Sequence, residues 1–259
     1  MVRIRPPYRS RQSPSLTLYD RGVPSIVSVG GIAEDVVLRM RTLPSPGTCV
    51  TAAAMYRGIG GKAANEAVAA ARLGGDVALL GCVGDDEAGR SLVTSLVAER
   101  VAVEHVTREH DTTTGTVILL RNEVGEKQVI VFPGANAALS LDAIDAAAPL
   151  LAAARVVLVQ FEIPLSIVEH TVRLVRGTAA RLVLDASPIR AFPRDLLRGA
   201  IVKANATIGA DRRRRLRPGI GARGGGATDR DWGGGRHARS WPRGQPLRLP
   251  IGGSVSPAP

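Results

Sequence analysis

The feature that most constrains the fold of this chain is an alternation of short β-branched runs with longer helical stretches, which extends from Ser25 to Ala206. When a strand, a helix and a further strand follow one another, the connection crosses over and leaves the two strands parallel. Parallel strands that are buried on both faces are continuously apolar, as the chain is at 77–83 and 156–160. We therefore predict an α/β fold with a parallel, Rossmann-type sheet that is flanked by helices.

The same pattern predicts the order of the elements. Strands are predicted at 26–30, 36–41, 50–56, 77–83, 114–121, 127–132, 156–160, 182–185 and 201–202, and helices at 63–73, 87–100, 140–153 and 166–175. Ser140 can cap the third helix, and Ser166 with Glu169 has the spacing of a capping box for the fourth. The strands near 36–56 and the hairpin at 114–132 lie outside the alternation, so we predict a small β-sheet lid. Ligands are expected at the carboxyl ends of the parallel strands.

Residues 207–259 differ sharply in composition from the rest of the chain. They hold 11 Arg, 12 Gly and 6 Pro, no Lys and no Glu, and only seven residues of the Leu, Ile, Val and Phe group. So few apolar side chains cannot form a core. This segment also carries +8 of the formal net charge of +11, so residues 1–206 are nearly charge-balanced. We predict a disordered tail, translated out of frame from about residue 207, a disordered leader at 1–25, and an incomplete α/β domain at 26–206.

Neither the cysteines nor the apolar segments point to a secreted or membrane protein. Cys49 and Cys82 lie far apart with no CxxC motif or Cys/His cluster, so we expect neither a disulfide framework nor a metal site. No stretch approaches the length of about 20 apolar residues that a membrane span requires. We therefore expect a cytoplasmic protein with no membrane partner.

The most informative short motif is GGKAAN at 60–65, at the start of the helix predicted for 63–73. Its glycines let the backbone approach a ligand closely, and the free amides of the first helical turn point the same way. Lys62 and Asn65 are three residues apart and can project from one face of that turn. The motif fits a binding site for a small polar group such as a sugar hydroxyl, and it fits an ordinary Gly-Gly turn equally well.

Taken together, several motifs resemble the phosphofructokinase-B (ribokinase-like) family of carbohydrate kinases. The run at 60–89 resembles the first signature region of that family. Further similar runs follow in the family's order at 114–115, 133–140 (PGANAALS), 160–165 (QFEIPL) and 205–207, so the resemblance covers about 26–207. It implies a kinase that uses ATP and Mg²⁺ to phosphorylate a pentose such as ribose at its 5-hydroxyl. By analogy it also implies a homodimer that is formed through the lid.

The resemblance further implies which residues bind the ligands. The matches to the family's sugar-binding positions are Asp35, Gly61, Lys62, Asn65 and Glu162. Asn205 matches an asparagine on the nucleotide side of the family's site. Ala33 stands where the ribokinase branch has an asparagine, so one polar contact to the sugar is absent.

One family motif has no counterpart in this sequence. Family members remove the hydroxyl proton with an aspartate in a DTxGAGD-like motif at a helix N-terminus, whose amides stabilise the phosphate charge. The nearest run here, GATD at 226–229, is not followed by an apolar helix pattern. We therefore assign no catalytic residue and expect this chain to be inactive. A non-catalytic sugar-binding pseudokinase is the alternative, and a nucleic-acid binder acting through Arg212 to Arg215 is the alternative that we favour least.

Overall fold

The computed structural model of the protein describes residues 23–188 and 191–203. Within these residues the strands are β1 (Ile26–Val29), β2 (Ala33–Met40), β3 (Ala52–Gly60), β4 (Val77–Gly84), β5 (Val101–Glu109), β6 (Gly115–Arg121), β7 (Lys127–Phe132), β8 (Val156–Gln160), β9 (Arg181–Asp185) and β10 (Ile201–Lys203). The α-helices are α1 (Lys62–Arg72), α2 (Glu87–Ala98), α3 (Leu141–Ala146), α4 (Ala148–Ala153) and α5 (Leu165–Arg176). The predicted tail at 207–259 and most of the predicted leader at 1–25 lie outside the described residues.

Six strands form a parallel sheet in the order β10-β9-β8-β1-β4-β5. Every residue of β4 is buried, and its successive side chains point to opposite faces of the sheet. Leu79 packs into the core beneath α1 and α2, whereas Leu80 packs into the core beneath α3, α4 and α5. The predicted Rossmann-type α/β fold, with helices on both faces of a parallel sheet, is thereby confirmed.

Helix α1 is built mainly from alanine, which has the highest helix propensity of the amino acids. Ala63, Ala64 and Ala67 are fully buried against the central sheet, and their small side chains let the helix lie close to β1 and β4. The helix ends before Gly74, whose φ of +89° suits glycine. This close packing brings the first turn of α1 next to the carboxyl end of β1.

The second sheet has four strands in the order β3-β2-β6-β7. Strand β2 pairs antiparallel with β3 and parallel with β6, and β6 and β7 form the predicted hairpin. All six residues of β7 are exposed. The predicted small lid sheet is therefore present, and its outer strand is apolar and open to solvent.

The structure also corrects several predicted boundaries. Strand β2 begins at Ala33 and not at 36, because Ala33 pairs with two glycines, Gly60 and Gly115, that let the three strands come together early. Strand β5 was not predicted, since it lies at the sheet edge and mixes polar with apolar residues. The helix predicted at 140–153 is divided into α3 and α4 at Ala147.

The two predicted helix caps had different outcomes. The hydroxyl of Ser140 accepts a hydrogen bond from the Ala143 amide at 3.2 Å, which confirms the cap of α3. The capping box of Ser166 and Glu169 is wrong, because α5 already begins at Leu165 and is preceded by Pro164, with no side-chain cap. Among the described residues no helix has the length and apolar character of a membrane span.

Candidate functional site

The candidate site lies where the central sheet passes into the lid. The chain leaves β1 at Val29 and enters β2 at Ala33, and two side chains from other segments hold this short connection. The Asn136 amide accepts a hydrogen bond from the Ile32 nitrogen and donates one to the Ile32 oxygen, each at 2.8 Å. The Gln160 carbonyl accepts a hydrogen bond from the Gly31 nitrogen at 3.2 Å. These bonds fix the backbone of the connection against the end of β8.

Gly61 lets the start of α1 approach this connection. It has a φ of +85°, in the region that favours glycine. A Cβ atom at this position would lie 2.8 Å from the Cα of Ile32 and would overlap the carbonyl oxygen of Gly31. That oxygen accepts a hydrogen bond from the Ala64 amide at 3.3 Å. The first turn of α1 is therefore held directly against the end of β1.

Glu162 joins this turn from the other side. Its Oε2 atom accepts a hydrogen bond from the backbone nitrogen of Lys62 at 2.7 Å. Burial raises the pKa of the Glu162 carboxyl, the amide and charge of Lys62 act in the opposite direction, and Asp185 and Asp35 raise it further. A buried carboxylate needs such a partner. Glu162 is thus anchored beside the helix while its other oxygen can accept further hydrogen bonds.

Asp35 extends from the lid strand β2, although the sequence predicted this strand only from residue 36. Its carboxylate occupies the space that a side chain at Gly60 would fill. Half-burial raises the pKa of Asp35. Within residues 23–188 and 191–203, no hydrogen-bond donor or cation pairs with this carboxylate. It is a hydrogen-bond acceptor that faces Glu162 closely enough to raise that residue's pKa.

Asn65 lies in the first turn of α1, three residues after Lys62, and its side chain is exposed. Ala33 is buried and makes no polar side-chain contact. The structure therefore brings Asp35, Gly61, Lys62 and Glu162 together and sets Asn65 at the edge of the same helix turn. The predicted nucleotide-side residue, Asn205, lies outside the described residues.

The sequence did not single out three charged residues next to Lys62. The Lys62 Nζ atom lies 3.6 Å from Oδ2 of Asp185, and the Lys203 Nζ atom lies 2.9 Å from the same oxygen. Lys203 also lies 3.6 Å from Oε1 of Glu66. A signal for Asp185 was present, since it ends a buried strand just as Glu162 closely follows one.

The family resemblance implies Mg²⁺, which proteins bind mainly through carboxylate oxygens. No group of three or more His, Cys, Asp and Glu side chains in that part of the chain is arranged to hold a metal ion. Glu162, Asp35 and Asp185 belong to the polar site, but two of them are tied to lysines. The donor set of the residues that the structure describes therefore does not fit a resident metal, and we assign no step to one.

Comparison with known proteins gives a consistent result. The pattern of the pfkB family carbohydrate kinases matches residues 23–206. The ribokinase of Schizosaccharomyces pombe is 29% identical over 179 residues, which are 67% of this chain and 56% of the relative. The ribokinase of Haemophilus influenzae is 29% identical over 173 residues, with 67% and 56% covered. The chain thus spans about half the length of the curated relatives that it matches.

Among solved structures, the ribokinase of Arabidopsis thaliana in complex with ribose and ATP is similar in fold. The similarity has a TM-score of 0.64 with 26% identity, and it covers 72% of this chain and 62% of that one.

Proposed function

Because this chain belongs to the pfkB family of carbohydrate kinases, we propose that it carries the sugar site of a ribokinase-like enzyme that phosphorylates a pentose at its 5-hydroxyl. Relatives named ribokinase support a pentose as the substrate, and the Arabidopsis ribokinase was solved in complex with ribose and ATP. ATP is accordingly the phosphoryl donor that we propose for the complete reaction.

The observation that supports this function best is the pair of carboxylates at the junction of the two sheets. Asp35 has no partner in the part of the chain that the structure describes, and Glu162 uses one oxygen for the Lys62 amide. Ionised carboxylates accept hydrogen bonds from hydroxyls more strongly than neutral groups do. A polyol with neighbouring hydroxyls provides the donors that these two side chains need.

The other predicted residues complete the proposed site. Gly61 keeps the wall of the site free of side-chain atoms, and Asn65 can both donate to and accept from a hydroxyl. Ala33 provides no polar group, so the sugar is held mainly by the carboxylates and the first turn of α1. The lid strand β2 supplies Asp35, which makes the lid part of the binding site.

We also propose that this chain by itself binds sugar without phosphoryl transfer. The family motif that carries the base aspartate and begins a helix has no match in the sequence. Loss of a general base alone lowers a rate by about 10²–10⁴-fold. A non-catalytic pseudokinase is therefore the second candidate, in which sugar binding is the whole function and phosphoryl transfer is no part of it.

The test compares two neighbouring carboxylates of β2, whose side chains point to opposite faces of the strand. Asp35→Asn should weaken ribose binding about tenfold to a hundredfold, because it weakens hydrogen bonds to a charged acceptor. Glu34→Gln is the matched control, since Glu34 pairs with Arg57 at 2.6 Å on the other face. Isothermal titration with ribose measures both variants.

Equal ribose affinities of the two variants would overturn the assignment of Asp35. A coupled assay for ADP release addresses turnover separately. Ribose-dependent ADP release by this chain would contradict its proposed inactivity and leave the sugar site standing.

A further inference from the structure

Four charged side chains beside the candidate sugar site form a cluster of alternating sign, which we call the charged quartet. It consists of Lys62 and Glu66 on α1, Asp185 at the end of β9 and Lys203 at the end of β10. The Lys62, Asp185, Lys203 and Glu66 charges follow one another at separations of 3.6, 2.9 and 3.6 Å. The quartet therefore ties the first turn of the helix to the last two strands of the sheet.

Asp185 is the centre of the quartet and its most buried member. Its side chain is 5% exposed, whereas those of Lys62 and Lys203 are 33% and 64% exposed. A buried carboxylate that loses every partner is strongly unfavourable. Both lysines share the same oxygen, Oδ2, and Lys203 is the nearer of the two. Asp185 thus keeps a cation even when Lys62 moves away.

Lys203 is held in place independently of Lys62. Its hydrogen bond to Asp185 raises the pKa of the Lys203 ammonium most, burial lowers it, and the charges of Asp185 and Glu66 raise it further, so that the net shift is upward. The ammonium therefore stays charged at neutral pH and stays between its two carboxylates. Lys62 is bound to only one of them, at the longer distance.

Lys62 also acts on the sugar site, because the charge of its ammonium group lowers the pKa of Glu162. Its backbone nitrogen is bonded to Glu162, so its side chain starts from the wall of that site. An ammonium group can donate a hydrogen bond to a sugar hydroxyl, but it binds a phosphate more strongly because the two groups carry opposite charges. The positive end of the α1 dipole acts in the same direction.

We propose that Lys203 is a positioning residue that allows Lys62 to leave Asp185 and bind the phosphate of a phosphorylated sugar. This proposal rests on the proposed function, because it takes the sugar site as given. Lys203 touches no substrate in it. Its part is to keep Asp185 paired, so that Lys62 is released at little cost.

The test uses two ligands that differ only in the phosphate, ribose and ribose 5-phosphate, in isothermal titrations of the full chain. The wild type should bind ribose 5-phosphate more tightly than ribose, and Lys62→Met should abolish that preference. Lys203→Met should weaken the binding of ribose 5-phosphate about tenfold, since Lys62 must then stay paired with Asp185. The same variant should bind ribose with an affinity within about twofold of the wild type.

Two further variants separate positioning from general stability. Lys203→Arg keeps the cation and should restore ribose 5-phosphate binding. The double variant Lys203→Met with Asp185→Asn should restore it too, because no buried charge then retains Lys62. Lys127→Met, on the exposed strand β7, is the control for loss of one positive charge. Thermal unfolding of each variant verifies that it is folded.

The outcomes distinguish this proposal from the function on which it rests. If Lys203→Met weakens the binding of both ligands equally, or if the wild type does not bind ribose 5-phosphate more tightly than ribose, the role of Lys203 is refuted while the sugar site stands. If the wild type binds neither ligand, the sugar site itself is refuted, and the role of Lys203 with it. Loss of the preference in Lys62→Met tests the lysine even if Lys203→Met does not fold.

Discussion

Replacing Gly61 by alanine tests whether the close approach of α1 to β1 holds this fold together. Gly61 adopts a φ of +85°, and its missing Cβ would overlap the Gly31 carbonyl oxygen and lie 2.8 Å from the Ile32 Cα. Both obstacles are backbone atoms. They cannot rotate away as the end of a long side chain could, so the helix or the β1 to β2 connection has to shift.

The size of the effect follows from two contributions. A non-glycine residue held in a sparsely populated backbone region costs about 1–3 kcal/mol. Overpacking against a fixed neighbour costs about 1–3 kcal/mol more. Gly61→Ala should therefore lower the free energy of unfolding by about 2–6 kcal/mol, which is a large part of the about 5–15 kcal/mol that stabilises a typical domain.

Gly74 provides a matched control for the backbone contribution. Its φ is +89°, close to that of Gly61, but a Cβ there would meet nothing within 4 Å. Gly74→Ala should cost only the backbone strain of an L-residue in the left-handed region, about 1–2 kcal/mol. The difference between the variants then reports the contact between Gly61 and Gly31 together with any additional backbone strain at Gly61, whose ψ is 139°.

Urea unfolding followed by circular dichroism measures both variants, with ribose titration as a second measurement. Gly61→Ala should have the lower midpoint and the weaker ribose binding, because a shift of α1 also moves the Lys62 amide away from Glu162. Equal midpoints for Gly61→Ala and Gly74→Ala would refute the reasoning, since the steric contact would then contribute nothing.

Two further predictions concern the cap of α2 and the lid. Burial acts to raise the pKa of Asp86, but hydrogen bonds from Thr114 and Gly89 outweigh it and lower the pKa below the ordinary 3.8. A carboxyl group whose pKa is lower in the folded state stabilises the fold above pH 3.8, and this stabilisation is lost as the pH falls through the folded-state pKa. Asp86→Asn should therefore lower the urea midpoint at pH 7 and differ least from the wild type at the most acidic pH. A decrease in the midpoint that does not depend on pH would contradict this. The dimer that we propose through the lid requires the apolar face of β7, where Ile130 is 56% exposed; Ile130→Glu should give a monomer in light scattering where the wild type gives a dimer, and an unchanged mass would exclude this face.

The sequence predicted the layered fold because buried parallel strands and amphipathic helices leave strong periodic patterns. Strand β4 is apolar throughout and α1 is rich in alanine, so both were recognised within one or two residues. Strand β5 lacked such a pattern, since an edge strand needs only one buried side. The early start of β2 at Ala33 depends on two glycines that are distant in sequence, Gly60 and Gly115, and local patterns do not report such pairings.

The candidate site was predictable in the same limited way. Glu162 and Lys62 were found from motifs, but their contact is made by the Lys62 backbone and not by its ammonium. The ammonium instead lies next to Asp185, which belongs to none of the sequence motifs. Only the folded chain sets the first residues of α1 beside the ends of β9 and β10, where these charges form ion pairs, so their relation had to come from the structure.

The residues of this site divide into those that hold the two sheets together and those that do not. Gly31, Gly61 and Asn136 fix the connection on which α1 and the lid both rest, so their replacement disturbs folding and binding together. Asp35 has no partner among the described residues, and Lys203 is mostly exposed. A change in ligand affinity on replacing Asp35 or Lys203, at an unchanged free energy of unfolding, therefore reports on the binding site and not on the stability of the fold. The sugar and phosphate assignments are best decided at these two positions.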